Sequence, residues 1–296
     1  MTKLAILGPM RIPFLILTPA CVSLGVGTAI WTSDEVSILF VVFAFIGALC
    51  AHISVNSLNE YFDFKSGLDL RTDRTPFSGG SGVLPEQPHM ARHALAIGLV
   101  TFALTGIVGI YFVLVWGWLL LPLGLIGLFV ILFYTIWFTH NELLCLIAPG
   151  LGFGILMVMG TDFVLTGSYS FTAFVASLVP FFLVSNLLLL NQFPDVEPDK
   201  SVGRKHLPIS LGVRTSTLIY GTFLALTYIT IGIGVQLHYL PRFSLMGLST
   251  IAIAIPACAG AYRYGENIKR LIPYLGLNVV IVIVTPLLVA TGLFLG

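Results

Sequence analysis

Charge is what this sequence has least of. Only 9% of its 296 residues are Asp, Glu, Lys or Arg, where soluble domains carry about 25%. Hydrophobic residues make up 57% and the mean hydropathy is +1.01, which excludes a soluble globule. Charge of one sign is missing too: 14 Lys and Arg face 13 Asp and Glu. A near-zero balance offers no general attraction for nucleic acid or any other polyanion. Cysteine is scarce, and Cys21, Cys50, Cys145 and Cys258 lie singly in or beside apolar segments. Without Cys-x-x-Cys spacing they form neither a zinc or thiol-redox motif nor a disulfide scaffold, and they read as small packing residues. The first apolar run lacks a following polar region with a small-residue cleavage site, so it is expected to be a membrane helix and not a signal peptide.

What the sequence does have is long apolar runs. A run of about 18 residues or more crosses a hydrocarbon layer of about 30 Å. Such runs fall at 12–31, 36–58, 92–115, 118–139, 143–166, 171–192, 215–236, 243–262 and 271–295, predicting an all-α, polytopic membrane protein with nine transmembrane helices around a central cavity. Pro19, Pro122, Pro149, Pro180 and Pro256 lie in or beside these runs and predict kinks, because neighbouring membrane helices re-satisfy the freed backbone groups. Lys3, Arg11, Lys65, Arg71, Arg74, Arg92, Lys200, Arg204, Lys205, Arg214, Arg263, Lys269 and Arg270 all fall at the N-terminus or in even-numbered connections, and only Arg242 falls on the other side. The positive-inside rule then places the N-terminus in the cytoplasm.

Two connections on that cytoplasmic side, about 59–91 and 193–214, are long and polar and are where function is expected. The first holds Asn56-x-x-Asn59-Glu60-x-x-Asp63, followed by Lys65, Asp69, Arg71 and Arg74. Asn56, Asn59 and Asp63 share one helix face, and Gly67 is expected to end the helix and let Asp69 fold back. The second runs Asn191-x-x-x-Asp195-x-x-x-Asp199-Lys200, then Arg204-Lys205, a four-residue period that predicts a matching stripe. The shared Asn-x-x-x-Asp pattern is a weak hint of an internal repeat.

Carboxylates at the ends of apolar helices are costly unless metals or cations neutralise them. Hard oxygens suit Mg²⁺, which takes one or two carboxylates and completes its shell with water and phosphate oxygens. A diphosphate between the clusters is the complement, with Lys65, Arg71, Arg74, Lys200, Arg204 and Lys205 as candidate phosphate contacts or ordinary anchor charges. For one Asp-x-x-x-Asp alone a solvated acidic loop is the better reading; two matched copies favour metal and diphosphate. The glycine-rich stretch Ser78-Gly79-Gly80-Ser81-Gly82 either offers backbone N–H groups to phosphate or forms a flexible turn.

These residues resemble the UbiA superfamily of intramembrane aromatic prenyltransferases over essentially the whole chain, read as a single domain over 1–296. Asn59-Glu60-Tyr61-Phe62-Asp63 with Gly67-Leu68-Asp69 is most similar to the branch that prenylates 1,4-dihydroxy-2-naphthoate in menaquinone synthesis. Asn191 through Asp199, with Gly203-Arg204-Lys205, resembles the second motif, and Arg11-Ile12-Pro13 the entry to the first helix. Two departures stand out: Phe138 and His140 occupy places where the family has lysines after Tyr134, and Ala148-Pro149-Gly150-Leu151-Gly152-Phe153 lacks the glutamate of that branch. The resemblance implies Mg²⁺ held by Asn59, Asp63, Asp69, Asn191, Asp195 and Asp199. It also implies a polyprenyl diphosphate donor contacted by the basic residues above, by Arg11 and by His140, an aromatic acceptor, and a multi-pass protein of the cell membrane with its site on the cytoplasmic side. Asp63, Asp69, Asp195 and Asp199 would serve the departing diphosphate, and Tyr134 is a candidate to steady an allylic cation through its π face. His52 either positions an acceptor or is a satisfied buried histidine. Glu60 and Glu197 read as rim charges, and Asp162 lies outside the site.

Rival readings are prenylation of homogentisate, 4-hydroxybenzoate or a glycerol-phosphate lipid and, from another class, secondary transport of an anionic solute. A transporter should carry polar groups near the membrane centre with paths to both faces, whereas these cluster on one face.

Overall fold

The computed structural model describes residues 7–33 and 35–296; Lys3, one of the orienting basic residues, lies outside the described residues. Among them there is helix and no strand. Eight helices are long and apolar enough to cross a membrane: α1 Gly8–Thr32, α2 Ile38–Ser66, α3 Pro88–Trp116, α5 Glu142–Thr166, α6 Phe171–Asn191, α7 Gly212–Gln236, α8 Arg242–Tyr264 and α9 Ile268–Leu295. The fourth expected span is present as a shorter helix, α4 Trp118–Phe133. It stops before residue 139 because the chain turns through 134–137 and re-forms only a 3₁₀ turn at Phe138–His140. The chain is a multi-pass membrane protein.

α2 packs along α3, α1 along α5 and α9, and α6 along α7 and α5. The outward faces are apolar, as lipid requires: Ile38 and Trp118 are each 80% exposed and Leu114 81%. The buried core gathers on α1, α6, α7 and α9, with Leu24, Leu183, Ile231 and Ile281 fully enclosed.

Two local features shape the interior. α5 contains Pro149, and the following Leu151–Leu156 is a π segment, a widened turn that proline favours by removing a ladder donor. Here α5 also presses on α6 backbone to backbone: a Cβ at Gly150 would lie 2.1 Å from the carbonyl oxygen of Phe181, and one at Gly154 would lie 2.5 Å from its nitrogen. Small residues permit such an approach.

Candidate active site

α2 supplies the first acidic group. Gly67, at φ 78°, ends the helix, and the amide of Leu68 returns to the carbonyl of Asp63 at 3.0 Å. That left-handed turn brings Asp69 back beside Asp63. The second group is not one continuous helix, as its four-residue period predicts. α6 ends at Asn191, a turn carries Pro194, and a short helix resumes at Val196–Ser201. Proline cannot donate to the ladder and disfavours helical geometry just before it. Asn191, Asp195 and Asp199 nevertheless all line the same cavity as Asn59, Asp63 and Asp69.

This cavity, about 690 Å³, has an acidic head where α2 and α6 end and an apolar body lined by α2, α3, α4 and α5. Pro149, Gly152, Phe153 and Leu156 of the kinked stretch form part of its wall. Arg11, at φ 51°, also lines the head and gives its Nε to Glu60 at 2.7 Å. Tyr134 lies on the wall in the turn after α4, and burial pushes its phenol above the ordinary value. Asn59 Nδ2 donates to Thr135 Oγ1 at 3.1 Å, tying that turn to α2. His52, deeper in α2, shares a 2.8 Å hydrogen bond with Thr18 and packs edge-on against Phe153. It is both satisfied and part of the cavity wall.

Arg204 joins the two acidic groups. Its guanidinium bonds Asp63 through Nη2 and Asp199 through Nη1, the latter at 3.0 Å. His206 Nε2 lies 3.0 Å from the other Asp199 oxygen. Burial, then Asp63 and Glu60, pushes Asp69 up to about 7; burial, then Asp199, does the same to Asp195. A carboxyl raised in the folded state favours folding while protonated, so its contribution is full below about pH 4 and lost as pH rises through about 7. The metal-free protein is therefore expected to show a lower Tm at about pH 8 than at about pH 5, with Mg²⁺ plus diphosphate narrowing the gap. A metal-free Tm that rises over that range in a detergent-solubilised sample contradicts the assignment.

Several expected contacts do not reach the cavity. Lys65 is exposed and lies 5.9 Å over the Tyr61 ring. Arg71 bonds Ser201 Oγ at 3.1 Å, and Arg74 folds over its own loop toward Ser81 and Glu86. Lys200, Lys205 and His140 are exposed and off the wall. Lys65 lies in the last turn of α2 and Lys200 in the short Val196–Ser201 helix, while Arg71, Arg74, Lys205 and His140 lie in turns and irregular segments. All six are exposed, where long cationic side chains are most easily solvated.

Glu60 is the reverse correction. It is no rim charge but fully buried, accepting from Arg11, from Ser81 N at 2.6 Å and from Ser81 Oγ at 2.8 Å. The glycine-rich strap thus spends at least one N–H on Glu60, while Phe77, Ser78, Gly79 and Gly80 line the cavity head. The signal was available: 56, 59, 60 and 63 follow the i, i+3, i+4, i+7 rule of one helix face. His206 sits in an irregular segment and had none. Glu197 is exposed, and Asp162 is buried off the cavity, accepting from Ser170 at 3.0 Å.

The residues suit a hard divalent cation. Asp69 Oδ2, Asn191 Oδ1 and Asp195 Oδ1 are buried oxygens without a hydrogen-bond partner, all of the donor type Mg²⁺ prefers. Among the described residues, no three His, Cys, Asp or Glu side chains converge to hold a metal ion by themselves.

Fold and site together define a multi-pass α-helical membrane protein with an apolar cavity capped by two facing acidic helix ends. Residues 18–274 match the UbiA prenyltransferase family, and the chain belongs to that family. It is 27% identical over 201 residues to the 1,4-dihydroxy-2-naphthoate octaprenyltransferase of Bacillus subtilis (strain 168), a match spanning 66% of this chain and 62% of that protein. A UbiA homologue from Aeropyrum pernix K1 is 17% identical, with a TM-score of 0.73 over 96% of this chain and 98% of the other. A UbiA homologue from Archaeoglobus fulgidus bound to DMAPP and Mg²⁺ is 15% identical, with a TM-score of 0.62 over 97% and 99%. At these identities the likeness between structures is one of fold.

Proposed function

We propose that this chain is a Mg²⁺-dependent prenyltransferase, a single domain over 1–296, that moves the prenyl group of a polyprenyl diphosphate onto an aromatic acceptor of the 1,4-dihydroxy-2-naphthoate type. The observation that carries this reading is that Asp63, Asp69, Asp195 and Asp199, from two separate acidic segments, all line the head of one apolar cavity. The positive-inside bias supports placing that head at the cytoplasmic face of the cell membrane. The charged wall groups, Arg11, Asp63, Asp69, Asp195, Asp199 and Arg204, gather at one end of the cavity, which supports transfer over transport.

Asp63, Asp69, Asp195 and Asp199, with Asn59 and Asn191, would hold Mg²⁺, which supplies charge neutralisation for the departing diphosphate. Arg11 and Arg204 line the same head and suit the remaining diphosphate oxygens. The allylic C–O bond breaks with its electron pair leaving on the diphosphate; the aromatic ring then supplies the pair for a new C–C bond and releases the group it carried at that carbon. Tyr134 presents a neutral ring to the developing cation. The walls of α3, α4 and α5 exclude water that would quench the cation and accept the lipid tail.

Purified protein incubated with radiolabelled prenyl diphosphate, Mg²⁺ and a panel of aromatic acids is expected to give an acceptor-dependent, lipid-soluble product that EDTA abolishes. Diphosphate turnover with none of these acceptors would remove the aromatic-transfer reading. A glycerol-phosphate lipid in the panel distinguishes the other acceptor class.

A further inference from the structure

The two basic side chains at the cavity head are both committed. Arg11 is held by buried Glu60 at 2.7 Å. Arg204 is 14% exposed and sits between Asp63 and Asp199, whose side chains are 7% and 5% exposed. Its own backbone N–H returns to the Asp199 carbonyl at 3.0 Å, just after Gly203, so the chain aims the guanidinium back at the acids that precede it. His206 covers the second Asp199 oxygen, which leaves that carboxylate with both oxygens engaged. The unpartnered oxygens belong instead to Asp69, Asn191 and Asp195.

A guanidinium does not give up its proton. A divalent cation that took Asp63 and Asp199 would therefore push Arg204 aside as a buried charge with no partner, which is strongly unfavourable. A diphosphate removes that obstacle, because its oxygens can receive the guanidinium while the carboxylates turn to the metal.

We propose that Arg204 is a resident counter-cation that closes the acidic pair Asp63 and Asp199 to a bare divalent cation, so that the site admits the metal together with a diphosphate group. This inference rests on the metal–diphosphate reading above and adds the order built into it. Arg204 is a positioning residue in this role: it holds two metal-ligating carboxylates in reserve and releases them when a diphosphate takes its charge. Coupling of this kind is reciprocal, so the metal and the diphosphate raise each other's affinity by the same factor.

The test is equilibrium dialysis of the full-length protein in detergent against Mn²⁺, with and without inorganic diphosphate, corrected for the Mn²⁺ that diphosphate binds in solution. Wild type is expected to retain bare Mn²⁺ weakly and to gain at least about tenfold in affinity with diphosphate. Arg204→Gln is expected to bind bare Mn²⁺ about fivefold or more tightly than wild type, and to gain less than about threefold from diphosphate. Arg204→Lys keeps the charge without the fork and should fall between the two; it carries the test alone if Arg204→Gln does not fold. A variant that binds bare Mn²⁺ no more tightly than wild type overturns the proposal. The readout needs no acceptor and no turnover, so a chain that transfers to none of the aromatic acids would fail the proposed reaction without deciding this result.

Discussion

Asp63→Asn is expected to lower turnover by about a thousandfold, because charge neutralisation by a metal is worth several kcal/mol and each 1.36 kcal/mol is a factor of ten. The asparagine keeps the size of the side chain but removes the charge that faces both the proposed metal and Arg204. Asp195→Asn should fall similarly, since an unpartnered Asp195 oxygen is one of the few at the head ready to receive a cation. Glu197→Gln, altering an exposed group two residues from Asp195 and off the cavity wall, should leave turnover unchanged. Breaking a buried pair costs about 3 kcal/mol or more when one charge is left alone, but Arg204 retains Asp199. The variant should therefore still elute as folded protein in size-exclusion chromatography. Full single-turnover activity in either Asn variant would remove the acidic pair from the chemistry.

The second large effect is on stability and lies in α5. Gly150→Ala would drive its methyl into the Phe181 carbonyl at 2.1 Å and Ser185 Oγ at 2.4 Å, and Gly154→Ala would meet Phe181 backbone atoms at 2.5 and 2.6 Å. Backbone atoms cannot rotate away as a side chain can, so α5 and α6 must separate, at a cost of about 3 kcal/mol or more. Gly152, between these two, has no neighbouring atom within 4 Å of a Cβ and faces the cavity. Gly152→Ala should keep the wild-type Tm and narrow the cavity instead, changing KM for the lipid donor ahead of stability. Equal loss of Tm in all three variants would contradict the close approach of the two helices.

Apolar runs set by membrane thickness predict nine helices, and the structure shows eight long ones and a shorter α4. The shortening was hard to see because Tyr134-Thr135-Ile136-Trp137-Phe138-Thr139 carries no charge, proline or glycine to mark a break, and hydropathy does not report where a ladder ends. The helix-face rule applied to Asn56, Asn59 and Asp63 also covers Glu60, but charge alone suggested a rim residue. The loop cations were the hardest to place. Arg71, Arg74 and Lys65 have the composition of phosphate contacts, yet Arg71 and Arg74 bond to Ser201 and Ser81 and Lys65 lies over Tyr61 on the exposed side of α2.

By itself the sequence determined that the chain is a bundle of membrane helices with two acid-rich helix ends, because backbone satisfaction in lipid and the period of a helix are local constraints. Only the tertiary structure decided that those ends face one another, that Arg204 ties them and that α5 meets α6 at its glycines. Those outcomes depend on which surfaces meet between segments distant in the chain, the farthest being Asp63 and Arg204 at a separation of 141. Separation in sequence carries no information about such meetings; packing and charge pairing in the folded state do.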